Sequence, residues 1–126
     1  MGPTERERLD DLVEVVTVDT YDPDERLGAF AAYFEEALGG ARAARLLGVD
    51  LEVEEVAPEG APERGLAARC RLASGEAVTV SAVDLVFEPA SDAAWVHAGY
   101  RWSLGLEPFA HEEPEWWEWP EWLDRS

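Results

Sequence analysis

Asp19, Asp22, Asp24 and Glu25 place four carboxylates within seven consecutive residues. Carboxylate oxygens are hard donors, and Ca²⁺ takes about six to eight oxygens, including backbone carbonyls. Divalent-cation binding is therefore the chemistry this cluster suggests. The spacing is not that of an EF-hand. Counted from Asp19, the sixth position, where that loop needs glycine, is Asp24, and Phe30 stands where the bidentate Glu belongs. The same residues also read as a helix start. Asp22 suits the N-cap, Pro23 the first helical position and Glu25 the N3 position.

A second concentration of chemistry lies in residues 107–126. This stretch carries seven acids and one arginine, a net charge of -6, with Trp116, Trp117, Trp119 and Trp122. Pro108, Pro114 and Pro120 argue against one continuous helix. Two readings stay open for the tryptophans. They dock back on the body and cover an apolar groove, or they bind a protein partner, where Trp is a favoured anchor.

Catalytic constellations are not evident. His97 and His111 are the only histidines, and with Cys70 they lack zinc-ligand spacing. Cys70 alternates with Arg69 and Arg71 along an apolar strand face, as a core residue does. The chain has no lysine for Schiff-base chemistry, and Gly39-Gly40 follows a helix instead of opening one on a phosphate. A non-catalytic protein is expected.

The elements that must position these residues follow from periodicity and caps. Thr4 and Glu7 form a capping box for a helix at about 5–14, with Leu9, Leu12, Val13 and Val16 on one face. After Asp22, Leu27, Phe30, Ala31, Phe34 and Leu38 form a single buried stripe, ended by Gly39-Gly40. Val49, Leu51 and Val53 alternate with acids, and Glu54-Glu55 breaks the alternation as a bulge would. A turn falls at Pro58–Pro62. Leu66, Ala68, Cys70 and Leu72 form the next strand, and Ser74-Gly75 leads to a third strand through Val78 and Val80. Glu52 and Glu54 are expected to pair with Arg69 and Arg71 and so fix an antiparallel register. A fourth strand spans Val83–Phe87. Ser91 caps a third helix with Ala94, Trp95, Ala98 and Trp102 on one face, ended by Gly105. The expected fold is α+β, a small bent antiparallel sheet or SH3-like barrel flanked by three helices. It comprises one domain at 1–106 and an acidic, Trp-rich segment at 107–126.

Composition sets the outer limits. The 126 residues suit one domain. With 28 acids against 10 arginines the net charge is -18, of which -12 lies on residues 1–106. That charge argues against a nucleic-acid face or attraction to anionic lipid. No apolar run is long enough to span a membrane, and no signal peptide is recognisable. One unpaired cysteine fits the cytoplasm.

The run VDTYDPDERLGAFAAYFEEAL, Val18–Leu38, resembles a block of the small acidic bacterial calcium-binding proteins of the CcbP type. There an acidic Asp-x-Tyr turn leads into an amphipathic helix with aromatics. LLGVDLEVEEV (Leu46–Val56), GLAARCR (Gly65–Arg71), VSAVDLVFEP (Val80–Pro89) and WVHAGYRWSLGL (Trp95–Leu106) are similar to that group as well. The resemblance covers about 10–106 and implies a compact α/β domain that binds or buffers Ca²⁺ through surface carboxylates. The matching positions are Asp19, Asp22, Asp24 and Glu25. The Trp-rich segment departs from the pattern. The leading expectation is a cytoplasmic Ca²⁺-binding protein. The alternative is an interaction module that docks through Trp116, Trp117, Trp119 and Trp122. Mimicry of nucleic-acid phosphates is a weaker third reading, since most acids alternate within ordinary elements instead of lining one elongated face.

Overall fold

A computed structural model describes residues 3–40, 42–60 and 64–123. Part of the expected Pro58–Pro62 turn and residues 124–126 of the acidic segment lie outside the described residues. Along the described chain two α-helices are followed by five strands and a third helix. They are α1 (Pro3–Val16), α2 (Pro23–Ala37), β1 (Ala43–Leu46), β2 (Val49–Pro58), β3 (Leu66–Leu72), β4 (Ala77–Ser81), β5 (Val86–Phe87) and α3 (Asp92–Ser103). No helix among the described residues is long and apolar enough to cross a membrane.

Helices α2 and α3 begin where their caps dictate. Asp22 is extended, and its Oδ1 accepts from the Glu25 amide at 2.8 Å. Ser91 Oγ accepts from the Ala94 amide at 3.2 Å. The end of α3 is a Schellman motif: Leu106 N–H donates to the Arg101 carbonyl and Gly105 N–H to that of Trp102, both at 3.0 Å. Gly105 sits at φ +77, which only glycine adopts freely. In α1 the helix already includes Thr4, so Thr4 lies in the first turn instead of capping it. Val15 and Val16 stay helical because both are buried, and core contact outweighs their β-branched preference.

The sheet is antiparallel throughout, in the order β4-β3-β2-β1-β5. The expected SH3-like barrel is not formed, because β4 and β5 remain separate edges and the sheet is open. It is nonetheless bent. A flat five-stranded sheet would hold its edges about 19 Å apart. Yet the link from β4 to β5 contains only Ala82–Leu85, partly wound as a 3-10 turn, and reaches on the order of 13 Å.

The bulge falls where expected, with the register shifting between Val53 and Glu55. It also changes the ion pairs. Glu52 stands opposite Arg71, but the side-chain pairs are Glu54 with Arg71 at 3.1 Å and Glu55 with Arg69 at 3.0 Å. One extra residue moves Glu54 out of the ladder and into reach of both arginines, with Arg69 at 3.8 Å. The expected strand at 83–87 is shortened to Val86–Phe87 by the 3-10 turn.

The core lies between the sheet and the helices. Phe30, Phe34, Val53, Leu66, Cys70, Leu85 and Tyr100 are all essentially inaccessible. The Tyr100 hydroxyl accepts from the Leu66 amide at 2.9 Å and so ties α3 to the start of β3. The apolar surface of α3 is wider than the single face expected from its sequence: Ala93 through Tyr100 are all buried. Its inner side meets α1 and α2. Phe109, Trp117 and Trp119 supply further cover.

Candidate functional site

The Asp19–Glu25 turn is built by local hydrogen bonds. The Thr17 hydroxyl donates to the Val13 carbonyl at 2.7 Å, and the Thr20 hydroxyl and amide donate to the Thr17 carbonyl. The chain then extends through Tyr21, which is 88% exposed, to the cap of α2. Asp19, Asp22, Asp24 and Glu25 are all exposed. No group of three or more His, Cys, Asp or Glu side chains able to hold a metal ion exists among the described residues. The sequence cluster is thus not a preassembled cation site. Asp22 is engaged as a cap. Asp24 and Glu25 sit in the first turn, where the positive end of the helix dipole already compensates carboxylate charge.

Glu35, Glu54 and Glu55 form a second acidic group, in a cleft they share with Arg42 and Arg69. Arg69 offsets part of its charge, pairing with Glu55 at 3.0 Å and Glu54 at 3.8 Å. Arg42 also donates to the Val53 and Glu54 carbonyls.

Residues 107–123 are stitched to the body. Arg101 donates to the Glu107 carbonyl at 2.7 Å and to the Val83 carbonyl at 2.9 Å, and its guanidinium lies 4.0 Å from the Phe109 ring centre. Phe109 stacks on His97 with ring centres 5.6 Å apart. Arg8 pairs with Glu113. Trp116 Nε1 donates to Asp92 at 3.1 Å. Trp95, Trp117 and Trp119 form a mutual edge-to-face cluster with centroids 5.7 to 6.2 Å apart. Of the four tryptophans for which docking on the body and binding to a partner both stood open, Trp117 and Trp119 pack against the body. Trp116 and Trp122 remain 61% and 51% exposed. The buried indole N–H groups of Trp95 and Trp117 find no acceptor among the described residues, an unfavourable feature in a packed region.

His97 is a buried side chain whose neighbours the sequence did not reveal. Its Nε2–H donates to the Ala82 carbonyl at 2.8 Å, and its ring meets Phe34, Phe87 and Phe109. Burial, reinforced by the Arg101 charge, lowers its pKa to about 4 against the partial offset of that hydrogen bond. The imidazole is therefore neutral near pH 7. Cys70 is sealed in the sheet. Burial, and then the Glu54 charge, push its thiol above the usual range, which disfavours the nucleophilic thiolate.

Sequence reasoning also missed the cleft between α2, α3 and the C-terminal segment, lined by Tyr33, Glu36, Asp92, Trp95, Trp116 and Trp117. Its only local signal was the density of tryptophan, because the lining residues come from three separate parts of the chain.

No family model and no curated protein sequence matches the chain. Two solved structures share its fold. One is a calcium binding protein in the calcium-binding form, 18% identical, with a TM-score of 0.62 over 85% of this chain and 99% of that one. The other is Anabaena CcbP, 16% identical, with a TM-score of 0.63 over 85% of this chain and 96% of that one. The resemblance to CcbP-type proteins thus extends to the fold of nearly their whole length.

Proposed function

We propose that this chain is a non-catalytic, cytoplasmic Ca²⁺-binding protein. The observation that carries the reading is the shared fold: two proteins described as calcium-binding or CcbP superpose on 85% of the chain. The net charge of -18 supports it, because a strongly anionic surface concentrates divalent cations. Among the described residues the carboxylates do not converge on a ready-made cage. Binding therefore has to draw side chains together against their mutual repulsion, which lowers affinity. Asp19 and Asp24, neither engaged as a cap, are the first ligands to test, with Asp22 and Glu25 contributing beside them. Such a weak site buffers calcium at high concentration and does not act as a trigger.

Calorimetric titration of the whole chain with CaCl₂, with MgCl₂ in parallel, tests this. Saturable heat with Ca²⁺ and little with Mg²⁺ is expected, because Mg²⁺ demands tighter octahedral geometry. At ten times the dissociation constant, Ca²⁺ should stabilise the fold by about 1.4 kcal/mol. No saturable heat at millimolar Ca²⁺ overturns the proposal.

A further inference from the structure

We propose that the cleft between α2, α3 and the C-terminal segment is a cage for a small quaternary ammonium cation. The cleft measures about 200 Å³ and is lined by Tyr33, Trp95, Trp116 and Trp117 together with Glu36 and Asp92. That volume suits a single head group on a short stem and lies below the roughly 300 Å³ where drug-sized pockets begin.

The rings that line the cleft are inclined to one another instead of stacked in parallel. Trp95 meets Trp117 at 70°, Trp116 meets Trp117 at 59° and Tyr33 meets Trp117 at 50°, all with centroids between 5.7 and 6.3 Å apart. Aromatic rings that line a cleft offer it the negative surface of their quadrupoles, which attracts a cation. The two charged side chains in the lining are both acids. Asp92 accepts from Trp116 Nε1 at 3.1 Å, which fixes that ring; it lies in the first turn of α3, where the helix dipole offsets part of its charge, so Glu36 is the less compensated of the two acids. The Glu36 charge is felt at the neighbouring ring: after burial it is the second cause that holds the Tyr33 phenol above its usual range, so the ring stays neutral. Trp116, 61% exposed, stands on the solvent side of the cleft and leaves a route of entry.

The chemistry selects the ligand class. A metal ion has no set of converging oxygens here, since no such group exists among the described residues. An anion is repelled by both lining carboxylates and by the overall charge. A methylated ammonium has no N–H to satisfy, sheds water readily and spreads its charge over methyl groups that contact ring faces. The proposal is independent of calcium binding, because it uses none of Asp19, Asp22, Asp24 or Glu25.

The test is titration of the full chain with choline chloride and with tetramethylammonium chloride at constant ionic strength, followed by tryptophan fluorescence. The neutral choline isostere 3,3-dimethylbutan-1-ol serves as comparison. Saturable change with both cations, and at least tenfold weaker binding of the alcohol, is expected. Equal binding of the alcohol shows a merely apolar pocket and overturns the proposal, as does the absence of saturation with either cation. Trp116→Ala removes an exposed ring, and Glu36→Gln with Asp92→Asn removes charge at nearly constant shape. Each is expected to weaken choline at least tenfold with the circular dichroism spectrum unchanged. Binding at parental strength in both variants overturns the assignment. Choline binding that persists in a chain failing to take Ca²⁺ separates this proposal from the calcium reading.

Discussion

The turn at residues 19–25 and the segment at 107–123 are both acid-rich, yet they meet different fates. The turn keeps all four of its carboxylates in solvent. The later segment folds down on α3, with Trp117 and Trp119 packed against the core and Leu123 buried. The difference lies in what accompanies the charge. Between Asp19 and Leu27 the one large apolar side chain is Tyr21, and it is exposed to solvent. In the later segment every few acids are followed by a large ring, and burying such surface outweighs the repulsion that holds acids apart. Acidity by itself leaves a chain open, whereas acidity interleaved with aromatics still permits docking.

The contrast predicts unequal responses to mutation. The largest is at Trp95, the ring against which Trp117 and Trp119 pack. Trp95→Ala is expected to cost about 3–5 kcal/mol in urea denaturation. A loss below 1 kcal/mol means that the segment does not dock as described.

Acid comes next. His97 has a folded-state pKa near 4, below its ordinary 6.5, so the unfolded chain binds the extra proton. Its stabilising contribution is complete above about pH 6.5 and is lost as the pH falls toward 4, by about 3 kcal/mol in all. His97→Gln should therefore lose less stability than the parent across that window. Identical slopes in the two proteins would place the imidazole in solvent.

At the turn the effects shrink. Asp22→Ala removes the cap of α2 and should cost about 1 kcal/mol in thermal melts. Asp19→Asn and Asp24→Asn should each change stability without calcium by less than about 0.5 kcal/mol, as exposed positions do. The same two substitutions should lower the heat of calcium binding. If they leave calcium binding unaltered, the ligands lie elsewhere on the acidic surface, and the open turn has no part in binding.

Parts of this fold are legible residue by residue. The caps at Asp22 and Ser91 and the stop at Gly105 need only neighbours within a few positions. So does the bulge at Glu54-Glu55, because alternation fails locally. β1 escaped such reading. Ala43-Ala44-Arg45 has weak strand preference, and its hairpin turns through Leu47 and Gly48, both at positive φ, where Asn-Gly is the usual signal. For the candidate site, the sequence offered the acids and the tryptophans but not their arrangement. Tyr33, Asp92 and Trp117 share one cleft although about 84 residues separate the first from the last.

The sequence by itself determined the charge, the helix boundaries set by side-chain caps and the antiparallel pairing of an acidic strand with a basic one. Each depends on side chains a few residues apart or on total composition. Only the tertiary structure decided that the sheet stays open, that Asp19–Glu25 does not close on a centre, and that the C-terminal segment covers α3. Those outcomes rest on contacts such as Arg8 with Glu113 and Trp95 with Trp117. Local periodicity carries no information about which distant surfaces will meet, because that choice is made by the total apolar area the chain buries at once.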